Sequence, residues 1–230
     1  MKKIMFNDRY GLTKAVLNGT KTMTRRIIPE IWVDFPRSGM QKANIRGLHS
    51  QVLMMDFSHV LGEDCLYPAD SKYQPKYYKG DEVAVAQSYK DIDERGIVGY
   101  EDASNIQPGM VSPIFAKDTI GWSNKMFVKA ELMPNRIIIT NIKLERLQDI
   151  SEEDAMKEGV FKYEKPPLHH ECDMYAPWPP YVKAYKYDCD NLQYRCNARA
   201  AFADLIDRIS GKGTWDLNPW VYAYEFELIK

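Results

Sequence analysis

Long apolar runs are missing from this chain. No stretch approaches the ~18 apolar residues a membrane span requires, and the opening Met1-Lys2-Lys3-Ile4-Met5-Phe6-Asn7-Asp8 lacks a signal-peptide core. The expectation is a cytoplasmic protein without a membrane partner. A basic excess is missing too: 31 lysines and arginines face 32 aspartates and glutamates, for a formal net charge of −1. Affinity for long nucleic acid is built from many neutralised phosphates. A general DNA or RNA coat role is therefore not expected, and any basic surface must be a local patch balanced by acids elsewhere. A small-ligand pocket stays open.

Cysteine is scarce. Cys65, Cys172, Cys189 and Cys196 include no CxxC pair. His169, His170 and Cys172 lie close together, so a zinc site completed by Cys189 or Cys196 can be drawn, but its spacing matches no common zinc pattern. The expectation is reduced thiols, no metal and no cofactor. No glycine-rich phosphate loop of Rossmann or P-loop type occurs, which removes the commonest nucleotide-binding enzymes. Internal repeats and low-complexity tracts are also lacking.

What is there suits one domain spanning 1–230. Its 45% hydrophobic and 27% charged residues are ordinary for a globular chain. A helix is predicted from Asp8 to Asn18, capped by Asn7 or Asp8, with Leu12, Ala15 and Val16 on one face and Gly19 as a left-handed stop. Thr22 to Ile28 reads as a strand closed by Pro29. Residues 30–78 show no lasting period and are expected to be a long irregular insertion. After the Lys79-Gly80-Asp81 turn, Glu82 to Tyr89 reads as a strand with Val83, Val85 and Gln87 on one face; residues 90–120 are loop-rich, with a hairpin near Gly96.

Arg136 to Leu147 is the clearest strand, with Ile138, Thr140, Ile142 and Leu144 on one side and Asn141, Lys143 and Glu145 on the other. Ser151 then opens a helix whose capping box closes on Asp154; Ala155 and Met156 face inward, and Gly159 ends it. The second insertion, about 161–195, is rich in tyrosine and proline, which rules out a regular helix and suggests a stacking lid or local packing. Cys196 to Ser210 returns to helical period and stops at Gly211. Trp215 and Trp220 are read as structural, and the chain closes in a strand, Trp220 to Ile229, with Tyr222, Tyr224, Phe226 and Leu228 on one face. Short strands among helices and long loops predict an α+β fold with a small barrel.

Three segments, in order, carry a resemblance. They are Leu17-Asn18-Gly19-Thr20-Lys21-Thr22-Met23-Thr24-Arg25-Arg26; Met133-Pro134 through Arg136 to Ala155, ending at Glu158-Gly159; and Trp215-Asp216 with Asn218-Pro219-Trp220-Val221 leading into Tyr224-Glu225-Phe226. Read together they resemble the ASCH family of the PUA-like superfamily, in particular its longer bacterial and phage-type members. The match covers roughly a third of the chain and leaves both insertions outside it. The resemblance implies a PUA-like small β-barrel flanked by short helices, with a cleft that takes a nucleoside, a nucleotide or RNA. One bacterial branch hydrolyses the amide of 4-acetylcytidine with a lysine, a threonine and a glutamate. Carried over, these are Lys21, Thr24 and Glu158. Where long members commonly read Val-Arg-Glu-Thr-Trp, this chain reads Val85-Ala86-Gln87-Ser88-Tyr89, which puts a neutral Gln87 at a ligand position.

Amide hydrolysis needs a nucleophile, a proton acceptor and a donor for the leaving amine. Thr24 could attack, Lys21 could take its proton once its pKa falls below the ordinary ~10.4, and Glu158 could shuttle a proton. Strand parity puts Arg26 with Thr22 and Thr24 and opposite Arg25, so Arg26 and Thr22 are the expected ligand contacts. Spacing alone favours a solvated turn lysine, a β-forming threonine and a surface glutamate. A non-catalytic module for RNA or modified nucleic acid, and a protein-interaction domain, are the alternatives.

Overall fold

The computed structural model describes residues 1–62, 65–93, 120–163, 174–176 and 197–229. The fold starts with strand β1 (Lys2–Ile4), a single 3-10 turn over Asp8–Tyr10 and helix α1 (Leu12–Leu17). Gly11, at φ +67°, divides what the sequence suggested as one helix, because a left-handed residue cannot continue either turn. Asn7 caps the 3-10 turn through its side chain, and Leu12, Ala15 and Val16 are buried as their spacing required. Strand β2 (Met23–Ile27) follows.

The described residues of 30–78 are not irregular. They form a hairpin of β3 (Trp32–Phe35) and β4 (Gly39–Lys42), then a three-stranded antiparallel sheet of β5 (Asn44–His49), β6 (Val52–Asp56) and β7 (Leu66–Pro68), with the single-turn α2 (Ser58–Leu61) between the last two. The β5–β6 hairpin turns on two residues, Ser50 and Gln51, at φ +48° and +66°. Asn-Gly is the usual signature of such a turn; Ser-Gln hides it. This segment supplies Ile31, Leu53, Met55, Phe57 and Tyr77 to the main core.

Strand β8 is Glu82–Val85, shorter than predicted, because Ser88 starts helix α3 (Tyr89–Asp93). Ser88 Oγ accepts from the Asp91 N–H while the Asp91 carboxylate accepts from the Ser88 N–H, a reciprocal cap. The hairpin expected near Gly96 lies outside the described residues.

The long strand β9 (Arg136–Arg146) is followed by helix α4 (Glu152–Lys157), the short β10 (Phe161–Tyr163) and β11 (Met174–Ala176), helix α5 (Ala198–Ser210), the single-turn α6 (Thr214–Leu217) and the long strand β12 (Trp220–Ile229). Glu225 pairs with Asn141 and Phe226 with Ile139, which leaves Thr140 as the extra residue of a bulge. The bulge reverses the parity of β9. Ile137 and Ile139 are buried in the core before it, and Ile142 and Leu144 pack on the core after it, so Ile138 and Thr140 do not share their face. On β12, Tyr222, Tyr224 and Phe226 face the core as alternation predicted. Each of the fully buried aliphatics Val83, Val85, Ile137 and Ile139 stabilises the fold by about 1.5–3 kcal/mol.

The main sheet runs β1-β8-β9-β12-β2. Only β1–β8 is parallel. The architecture is α+β. Among the described residues no strand pairing joins its two edges, β1 and β2. One side chain crosses that seam: Arg26 Nη2 donates to the Met5 carbonyl at 2.6 Å. Among the described residues no helix is long and apolar enough to cross a membrane.

Candidate active site beside the open edge of the sheet

The turn after α1 is fixed by its backbone. Gly19 adopts φ +75°, and the N–H groups of both Thr20 and Lys21 donate to the Ala15 carbonyl. Thr22 N–H then donates to the Lys157 carbonyl at 3.0 Å, which ties the start of β2 to the end of α4. Lys21 is thus held outside the strand, in the turn, and is buried, with 2% exposure.

Glu158 closes α4. Its helix starts at Ser151, whose hydroxyl accepts from Asp154 N–H, and stops because Gly159 turns left-handed at φ +98°. The Asp154 carboxylate does not complete a capping box with Ser151; it faces Arg25 at 3.5 Å and Lys157 at 3.4 Å instead. Lys21 Nζ donates to Glu158 Oε2 at 2.6 Å and to the Glu158 main-chain carbonyl, also at 2.6 Å. The lysine therefore satisfies an orphan carbonyl at a helix end and pairs with the carboxylate next to it.

Arg25 completes the cluster. Its Nη1 donates to Glu158 Oε1 at 3.1 Å, and its Nε and Nη2 both donate to Glu145 Oε1, at 2.8 and 2.6 Å. The guanidinium also lies 5.8 Å from the Phe202 ring centroid, under α5. Both Glu158 oxygens thus accept from buried cations. Burial lowers the Lys21 pKa below its ordinary 10.5; Glu158 opposes that shift, and the positive charges of Arg26 and Arg25 reinforce it.

Lys21, Glu158, Thr24, Arg25 and Arg26 line one hollow of about 200 Å³. Phe6 and Leu12 close one side, and Phe202, Leu205, Ile206 and Ile209 of α5 supply an apolar wall. Thr24 is buried. The Phe6 ring lies 5.9 Å from both Lys21 Nζ and the Arg26 guanidinium. An apolar wall, buried charge and a hydroxyl suit a small, partly polar ligand better than an extended phosphate backbone.

Parity predicted that only one of Arg25 and Arg26 would reach the site. Both line the hollow, and β2 is an edge strand among the described residues. Thr22 O accepts from Phe226 N–H and Ile28 N–H donates to Trp220 O, so alternate residues of β2 point their main-chain groups at β12. The same alternation aims the N–H and C=O groups of Met23, Arg25 and Ile27 outward, away from β12. The sequence offered Arg25 as a neighbouring cation but not as a lining residue, and these edge amides were missed. An edge position is set by which strands pair, and no local pattern encodes it.

Two expected ligand contacts stand elsewhere. Thr22 is outside the lining of the hollow, with its main chain committed to Lys157 and Phe226. Gln87 is also outside it; it is buried beyond β8, where its Oε1 accepts from Asn135 Nδ2 at 2.8 Å and its Nε2 has no hydrogen-bond partner among the described residues. β8 stands three places from β2 in the sheet order, which separates Gln87 from the hollow. Among the described residues no group of three or more His, Cys, Asp or Glu is placed to hold a metal ion. His169, His170, Cys172, Cys189 and Cys196, and most of the tyrosine-rich insertion, lie outside the described residues. No protein-family model, curated protein or solved structure matches the chain.

Proposed function

We propose that this chain is an ASCH-type, PUA-like module that binds a nucleoside or nucleotide and hydrolyses the amide of an acylated cytidine such as 4-acetylcytidine. One observation carries the reading: Lys21, buried and held by two hydrogen bonds to Glu158, lines the same hollow as the Thr24 hydroxyl. As a neutral amine, Lys21 donates two N–H bonds to Glu158 and keeps one lone pair for a proton. Thr24 is the one hydroxyl-bearing residue of β2 in the lining.

In this mechanism Thr24 Oγ1 attacks the acetyl carbonyl carbon and its proton passes to Lys21 Nζ. The outward-facing N–H groups of Arg25 and Ile27 on the edge of β2 serve as main-chain donors for the developing oxyanion. Collapse breaks the bond to the exocyclic nitrogen of cytosine, which takes the proton back from Lys21. Water then cleaves the threonine ester, giving acetate and restoring the hydroxyl. Glu158 acts by orienting the amine, since both of its oxygens already accept hydrogen bonds. Arg25 fixes Glu158 in turn.

The test is incubation of the pure protein with 4-acetylcytidine and chromatographic detection of cytidine, with Lys21→Ala and Thr24→Val alongside. Turnover lost in both variants supports the reading. Binding without turnover supports the non-catalytic module. Neither binding nor turnover removes the nucleoside from consideration.

A further inference from the structure

The Lys21–Glu158 hollow has a neighbour. A second cavity, of about 310 Å³, shares Met5, Arg26 and Ile27 with it, so Arg26 stands in the wall common to both. Its remaining lining includes Lys72, Lys76, Tyr73, Tyr77, Tyr222 and Tyr224, and no aspartate or glutamate. That is an unusual place in a chain with a net charge of −1. Lys72 Nζ lies 4.7 Å from the Tyr73 ring centroid and Lys76 Nζ 5.5 Å from that of Tyr77. Among the described residues neither ammonium is paired with a carboxylate. Among the described residues Arg26 donates only to a main-chain carbonyl, that of Met5, and pairs with no carboxylate.

The phenols are pre-set. Tyr77 donates to the Lys3 carbonyl and Tyr222 to the Tyr73 carbonyl, both at 2.8 Å, which fixes those rings and leaves their oxygens as acceptors. Tyr224 differs. Its hydroxyl accepts from Lys76 N–H at 3.2 Å, and its own proton has no acceptor among the described residues. Tyr224 is 1% exposed, and burial pushes its pKa up to about 12, so the proton stays in place at neutral pH. A buried, unspent O–H donor beside three cations that have no carboxylate partner among the described residues is an arrangement for an anion.

The two cavities are also adjacent through the sheet. Tyr224 stands directly opposite Thr24, and Tyr222 opposite Arg26, on the β12–β2 ladder. Directly opposed side chains on one face start about 4.5–5.5 Å apart at Cβ. A ligand that reaches Thr24 with its acyl group is therefore within one sugar's length of the second cavity.

We infer that the cavity of Lys72, Lys76, Arg26 and Tyr224 receives the phosphate of the ligand whose base lies against Lys21 and Glu158, so that the preferred substrate is an acylated cytidine nucleotide and not the free nucleoside. This rests on the nucleoside reading above and adds the anionic half of the ligand. Calorimetric titration of wild type and Lys72→Glu/Lys76→Glu with 4-acetylcytidine and with its 5′-monophosphate tests it. Both lysines are exposed, so the substitutions leave the core untouched. In wild type the phosphate should tighten binding by about tenfold or more, the scale of charge-assisted contacts. In the double variant that advantage should collapse while affinity for the nucleoside is unchanged. Equal affinities in wild type, or an advantage that survives the substitutions, overturns the inference and leaves the nucleoside reading intact. If neither compound binds, the nucleoside reading falls and this inference with it.

Discussion

Lys21 Nζ stands 2.6 Å from the carboxylate of Glu158 and 2.6 Å from its main-chain carbonyl, with both residues buried at the ends of different helices. The chain places them 137 residues apart, and the turn after α1 brings them together against the end of α4. Each is held by its own backbone turn, so the pair is a fixed feature of the fold and not a chance meeting of two long side chains.

The network is asymmetric, and this predicts unequal costs. Removing Lys21 leaves Glu158 still paired with Arg25 at 3.1 Å. Removing Glu158 leaves two buried cations with one acceptor fewer. Glu158→Leu should cost about 3–5 kcal/mol, and Lys21→Met should cost clearly less. Urea unfolding of both variants measures the difference; equal losses would contradict the asymmetry.

The Lys21 pKa gives a pH signature. Burial lowers it below 10.5, so the neutral amine is reached earlier than for a solvent-exposed lysine. Hydrolysis should rise with pH through the folded pKa. Stability follows the same group with a defined sign. Between the folded pKa and about 10.4 the unfolded chain binds the extra proton, so stability attributable to Lys21 increases with pH there, and the burial penalty is felt in full below that window. Lys21→Gln should lose this upward slope, and unfolding curves collected across that interval would reveal it.

Gly159 is a second point of control. A Cβ there would lie 3.4 Å from Leu12 Cδ2 and 3.5 Å from Lys21 Cδ, and φ is +98°, where side chains are strained. Gly159→Ala should destabilise by about 1–2 kcal/mol and shift the Glu158 carbonyl that Lys21 uses. Thermal unfolding and turnover should fall together; a drop in neither would show that the turn relaxes freely.

Ser50 and Gln51 form the β5–β6 turn with positive φ at both positions. Gln51 Oε1 accepts from Lys79 N–H at 2.8 Å, so that residue is engaged. Ser50→Asn keeps the bond and suits the left-handed backbone. It should stabilise by up to about 1 kcal/mol, read as a higher urea midpoint with unchanged slope.

On the outer face, Lys143 Nζ lies 2.8 Å from Glu225. The hydrogen bond from Lys143 holds the Glu225 carboxyl below its ordinary 4.5. A depressed carboxyl stabilises above its unfolded pKa, and that contribution is lost as pH falls through the folded value. Lys143→Gln should move the Glu225 titration upward in a carboxyl NMR series. The stability change should stay under about 1 kcal/mol and shrink in salt, because the pair is partly exposed.

Several element ends were legible because single residues set them. Asn7, Ser151 and Gly159 cap or stop their helices where the sequence placed them, and the β12 alternation puts Tyr222, Tyr224 and Phe226 inward. The strands of 30–78 were not legible, since their tightest turn is Ser-Gln and the strands are short and mixed in polarity. The faces of β9 were half legible. A bulge at Thr140 resets parity, and a bulge is specified by the partner strand as much as by the sequence that carries it. Lys21, Thr24, Glu158 and Arg26 were chosen from the sequence and share one hollow; Thr22 and Gln87 were chosen with them and do not line it.

Local sequence alone determined where Lys21 and Glu158 stand on their own segments. Each follows a helix and adjoins a glycine turn, and turn geometry is decided within a few residues. Which side of the sheet stays unpaired was decided only by the tertiary structure. With β1 and β2 at opposite ends of the pairing order, the edge of β2 has no strand partner among the described residues and lies beside Arg25, Arg26 and α5, with a second, acid-free cavity sharing Arg26. Strand order is settled by burial summed over the whole core, and no short stretch of sequence contains that sum.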